Sequence, residues 1–121
     1  MRLFALRGAT TVPSNDAQQI LDATAELMRD ILERNALNPE HVVSCIFTVT
    51  DDLDAQFPAV AARAVGFSAV PLLCAREIPV PGSMPRVIRV LIHYHATEHH
   101  EPVHVYLRDA QGLRTDLSSA Q

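Results

Sequence analysis

Only one segment of this 121-residue chain carries a long helical period, and the other apolar runs are short and β-rich. Between 16 and 35, Ile20, Ala23, Thr24, Leu27, Met28 and Ile31 share a helical face, with Leu21 and Leu32 at its edge. Asp22, Glu26, Arg29, Asp30, Glu33 and Arg34 take the opposite face, which reads as solvated. Asp30 and Arg34 have the i,i+4 spacing of a helical ion pair. Ser14 or Asn15 is expected as the N-cap, with Gln18 completing an imperfect capping box from Asn15.

Around this helix the sequence predicts five strands. Residues 2–12 form one that bends or bulges at Gly8 and stops before Pro13. Residues 41–50 form a strand buried on both faces, followed by an acidic turn at 51–54. A short helix over 56–65 ends at Gly66. Further strands lie within 69–78, over 86–95 and over 103–107, separated by a Pro/Gly loop at 79–85 and a turn at 96–102. The expected fold is α+β: one mixed β-sheet with one long helix, as a single domain over 1–121. One helix cannot cover both faces of such a sheet, and self-association is the economical way to cover the other.

A formal charge of -4 argues against nucleic acid or an anionic membrane as partner. Cys45 and Cys74 sit in apolar runs without disulfide or metal spacing, and read as reduced thiols of a cytoplasmic protein. The N-terminus lacks the order of a signal peptide, and no apolar stretch approaches the ~20 residues of a membrane span.

The chain has no Lys, so every fixed cation is a planar guanidinium fork. That absence reflects genome composition as much as function. The informative cations are Arg7, Arg63, Arg86, Arg89 and Arg114, with Glu77 among them. In a strand, Arg89 shares a face with Val87 and Leu91 and opposes Ile88, Val90 and Ile92. A guanidinium in such surroundings is costly unless an anion meets it, which suggests a small site for a carboxylate-bearing ligand. Arg7 reads equally as a solvated strand arginine or as part of that site, and Arg86 reads as solvated. Glu77 is open to three readings: general base, ion-pair partner or hydroxyl acceptor. Cys74 has no evident His partner that would make it a nucleophile. His93, His95, His99, His100 and His104 read as a polar strand end and turn rather than a metal site. No P-loop, GxGxxG, HExxH, GxSxG or CxxC occurs.

Taken in order, RGATTV at 7–12, FTVTDDLDAQFPAVAAR at 47–63, PLLCAREIPVPG at 71–82, RVIRVL at 86–91, HVYL at 104–107 and LRTDL at 113–117 resemble the monofunctional chorismate mutases of the AroH class. The resemblance implies a homotrimer with a pseudo-α/β-barrel interior and active sites between adjacent subunits. It implies the Claisen rearrangement of chorismate to prephenate, on the route to phenylalanine and tyrosine, with no cofactor and no metal. Arg89 is then the cation against the ether oxygen. Arg7 and Tyr106 hold carboxylate or neighbouring oxygens, and Glu77 accepts from the substrate hydroxyl with Cys74 beside it. Phe57, Ala59 and Arg63 come from the opposite wall, on a neighbouring subunit, and Leu113 and Arg114 belong to a closing tail. The sequence departs from the pattern at Val60, where Lys is frequent, and at Leu73, where a small polar residue is common. A trimeric imine deaminase and a non-catalytic metabolite-binding trimer are the alternatives, and the deaminase signature matches less well.

Overall fold

The computed structural model describes residues 1–114. Strand β1 (Arg2–Thr11) leads to helix α1 (Ala17–Arg34), then to strand β2 (Val42–Val49). Helix α2 (Pro58–Ala62) and a π turn (Arg63–Phe67) precede β3 (Leu72–Arg76), β4 (Val87–Ala96), β5 (Val105–Tyr106) and a 3-10 turn (Arg108–Leu113). The five strands form one sheet in the order β3-β2-β4-β1-β5. β4 runs antiparallel to both β1 and β2, while β3 and β5 pair in parallel on the flanks. The mixed α+β fold expected from the sequence is therefore present.

The expected face of α1 is the observed one: Ile20, Ala23, Thr24, Leu27, Met28 and Ile31 are all buried. They pack on Phe4, Leu6, Phe47, Val90 and Ile92 from one side of the sheet. Asp30 and Arg34 form the expected ion pair at 3.1 Å. The N-cap is Asp16, not Ser14 or Asn15, and its carboxylate accepts from the Gln19 N–H at 2.9 Å. Asn15 is used elsewhere, bonding Asp54 and Ala55 across to the acidic turn.

β1 does not bulge at Gly8. Its register with β4 is continuous from Arg2↔Ala96 to Thr11↔Val87. The glycine is needed for a close approach instead: a Cβ there would lie 2.8 Å from Ile31 Cδ1 and 3.1 Å from Val90 Cγ1. The irregularity falls in β2, between Val42 and Ser44. β2 is also not buried on both faces. Cys45 and Phe47 are buried under the helix, whereas Ile46 and Thr48 on the other side are half-buried. That uncovered face carries exposed Leu3 and Leu73, 53% and 61% accessible, beside half-buried Leu91.

The C-terminus of α1 closes in a Schellman motif. Leu37 N–H reaches Leu32 O at 2.9 Å and Ala36 N–H reaches Glu33 O at 3.2 Å, with Ala36 at φ 46°. Asn35, buried at this end, accepts from Val103 N–H at 2.8 Å and donates to Val103 O at 3.0 Å. Val103 is thereby taken out of the sheet, which shortens the expected strand to its last residues. Gly66 ends the α2 region at φ +118°, as expected, although the α-helix itself stops at Ala62. Arg86, expected to be solvated, is half-buried: its backbone N–H bonds the Asp52 carboxylate and its side-chain Nε–H bonds Val12 O, closing the loop before β4.

Two substitutions test this packing. Gly8→Ala should cost about 1–3 kcal/mol in denaturant unfolding, because the added methyl would displace the fully buried Ile31 and crowd Val90 and Leu27 as well. Ala36→Gly should stabilise by up to about 1 kcal/mol, since it relieves a left-handed residue at the helix end.

Candidate active site

The uncovered sheet face carries Arg7, Arg89 and Thr48 towards one end, and Ser44, His93 and His95 towards the other. Strand alternation turns Arg7 and Ala9 of β1 outward, with Arg89 and Leu91 of β4 beside them and Ile46 and Thr48 of β2 beyond. Ala9 pairs with Arg89 on one side and with Tyr106 on the other. Being small, it leaves room for a cleft of about 360 Å3 that Arg7, Arg89, Tyr106, Thr48 and Leu113 line. Arg7 and Arg89 lie diagonally across neighbouring strands, so two arginines line one wall.

Arg89 Nε lies 3.2 Å from Glu77 Oε2, an ion pair with 43% of the Arg89 side chain and 18% of the Glu77 side chain exposed. The Nε–H is buried and not aligned as a hydrogen bond to any described acceptor. Thr48 Oγ1 donates to the same Glu77 oxygen at 2.9 Å. Glu77 N–H bonds Val49 O at 2.9 Å, so the residue continues the β3 pairing on the Thr48 side of the sheet. Glu77 itself lines the neighbouring small cleft near Thr50 and Met84, and meets the larger one through Arg89 and Thr48.

Tyr106 is held by a short strand with several ties. Arg7 N–H donates to His104 Nδ1 at 3.0 Å, and Leu107 N–H bonds Ala9 O at 2.9 Å. Arg108, at φ 53°, bonds Glu26 Oε1 at 3.2 Å and Thr11 O at 3.2 Å, turning the chain so that Leu113 reaches the cleft. Glu26 on the charged helix face thus has a partner. Burial holds the His104 pKa below its usual 6.5, and the Arg7 charge adds to this. Its Nδ1 must be unprotonated to accept the Arg7 N–H.

The other expected site residues lie elsewhere. Alternation turns Cys74 to the helix side, where it packs on the core. It lines a separate cleft of about 310 Å3 with Phe57 and Pro58. Ala59 is buried in α2, Arg63 is exposed at the π turn, and Arg114 is exposed just past Leu113. The remaining part of LRTDL, from 115, lies outside the described residues. Sequence reading missed Thr48 and Ala9; Ala9 follows from Arg7 by alternation, whereas Thr48 needed the β2–β4 register. Among the described residues no three His, Cys, Asp or Glu are placed to hold a metal ion. His93 meets Ser44 Oγ at 3.1 Å and His100 meets the Tyr94 hydroxyl at 2.6 Å. Burial pushes the Cys45 thiol up to about 12, with Cys74 adding to the shift, so it stays protonated and inert.

The model of the family described as chorismate mutase type I matches residues 3–117. The chain is 52% identical over 118 residues to chorismate mutase AroH of Thermus thermophilus, covering 96% of this chain and 97% of the relative. It is 38% identical over 120 residues to chorismate mutase AroH of Bacillus subtilis, covering 98% and 94%. A solved chorismate mutase from Clostridium thermocellum superposes with a TM-score of 0.87 at 45% identity, over 91% of this chain and 99% of that one. The chain belongs to the chorismate mutase type I family. It is therefore an isomerase, a chorismate mutase.

His104 makes acid sensitivity testable. Its folded pKa is lowered, so the stability it contributes is present above pH 6.5 and is lost as pH falls through the folded value. In His104→Asn, whose side-chain oxygen can still accept from Arg7 N–H, stability measured by urea unfolding should fall less steeply on the acid side.

Proposed function

We propose that chorismate is converted to prephenate in the cleft between Arg7, Arg89 and Tyr106. The observation that carries this reading is that Arg7 and Arg89 line one cleft, with Arg89 paired to the Glu77 carboxylate. The substrate is a dicarboxylate whose ether C–O bond breaks as a C–C bond forms, with electrons moving around one ring of atoms. No proton transfer or covalent intermediate is required. The protein must fold an extended molecule into a chair-like geometry and stabilise the charge that grows on the ether oxygen.

Arg89 faces that oxygen through its terminal N–H groups, which supply directional donors, while its Nε side is turned to Glu77. Arg7 and Tyr106 hold a carboxylate. Glu77 accepts the ring hydroxyl and acts as a positioning group rather than a base. Leu113 covers the cleft with apolar surface, and Arg114 follows it in the closing tail.

The working form in this reading is a homotrimer whose sheets build a pseudo-α/β barrel, acting in the cytoplasm. Two features support it. The face with Leu3, Leu73 and Leu91 exposes large apolar side chains and is uncovered by its own helix. Phe57 and Cys74 open into a different cleft from Arg7 and Arg89, so one chain cannot offer both sets to one ligand, whereas adjacent copies can. Phe57, Ala59, Arg63 and Cys74 then form the opposite wall. Val60 leaves the rim without a cation there, which slows substrate capture more than rearrangement.

Arg89→Ala should lower kcat by about 10²–10³-fold, ~3–4 kcal/mol in the barrier, while remaining folded and trimeric. Unchanged kcat would remove Arg89 from the role given to it. Turnover should persist in full after chelator treatment, and light scattering should give three times the 13.3 kDa chain mass. A species of 13.3 kDa that still turns over chorismate would sink the intersubunit site.

A further inference from the structure

We propose that Thr48 is a positioning residue of this active site, acting through Glu77. The inference rests on Glu77 receiving the substrate hydroxyl. A glutamate carboxylate at the end of three rotatable bonds has no defined direction of its own. Here both fixed contacts fall on one oxygen: Thr48 Oγ1 at 2.9 Å and Arg89 Nε at 3.2 Å meet Oε2. Oε1 takes no bond from the described residues, and remains the acceptor for a ligand.

The two contacts differ in kind. Arg89 attracts the carboxylate by charge, but its Nε–H is not aligned with Oε2. Thr48 provides the directed hydrogen bond. Its donor is held by a β-branched side chain with restricted χ1, on a strand paired residue for residue with β4 at Thr48↔Arg89. Thr48 also lines the Arg7–Arg89 cleft, whereas Glu77 lines the cleft beside it. The hydroxyl therefore ties the carboxylate to the wall where the substrate lies. Without it, charge alone would hold Glu77, and the carboxylate could slide along the guanidinium to a second arrangement. Orientation losses of this size slow positioned reactions without disturbing the fold.

The test compares Thr48→Val, which keeps the shape and removes the hydroxyl, with Thr48→Ser, which keeps the hydroxyl. Each is made alone and with Glu77→Ala, in the full chain, reading chorismate turnover and prephenate binding by calorimetry. Thr48→Val should lower kcat/KM about tenfold, and Thr48→Ser should remain within about twofold of the parent. In the Glu77→Ala background, Thr48→Val should change turnover, or prephenate affinity where turnover is too slow to read, by less than about twofold. Thermal midpoints within a few degrees of the parent exclude a folding defect. An equal loss in both backgrounds overturns the proposal, because Thr48 would then act independently of Glu77. Full activity in Thr48→Val with slow Glu77→Ala overturns it while leaving the role of Glu77 intact. Full activity in Glu77→Ala removes that role, and the proposal with it.

Discussion

The approach of α1 to the sheet over Gly8 is the constraint on which the rest of the structure depends. Without a Cβ at that point, Leu27 and Ile31 settle directly onto β1 and β4, and the helix side of the sheet becomes a solid apolar layer. Strand alternation does the rest. A glycine that faces the helix forces Arg7 and Ala9, its neighbours, to face the other way. The residue that admits the helix therefore also aims one guanidinium and the small floor residue at the cleft. A side chain at position 8 would press on the core and disturb the site through the same few atoms.

The cleft's far wall depends on a different economy. β5 contributes only two residues to the sheet, too few to fix a tyrosine by ladder bonds alone. Three polar ties flank it: Asn35 on Val103, His104 on the Arg7 N–H, and Arg108 on Glu26 and Thr11. Two of the three originate in or beside α1. The long helix thus covers the core and anchors the segment that carries Tyr106 and Leu113.

What was legible in the sequence follows from which signals are local. The buried face of α1, the alternation around Arg89 and the glycine stop at position 66 depend on near neighbours, and the structure repeats them. The capping residue shifted because Asn15 found better partners in the distant acidic turn, and the strand before Tyr106 shrank because Asn35 claimed Val103. Gly8 was open to two local meanings, bulge or close approach, and only the helix packed above it decides between them. Within the candidate site, the positions of Arg7, Arg89, Tyr106 and Leu113 could be carried over from the family motifs. Thr48 could not, since its place beside Glu77 comes from pairing between β2, β3 and β4, a register that no single segment encodes.

The strand order has a consequence for how the chain reaches its folded state. β4 is bonded to both β1 and β2, which do not touch each other in the sheet, yet β4 begins only at Val87. Until it is made, both strands present open edges on either side of an empty slot, and α1 has no continuous surface to lie on. The central ladders therefore close late in synthesis, through contacts between residues far apart in the chain, which favours slow folding for a protein of this size. A nascent chain stalled before residue 87 would expose its β1 and β2 edges to other nascent chains, making that interval the point of greatest exposure to aggregation.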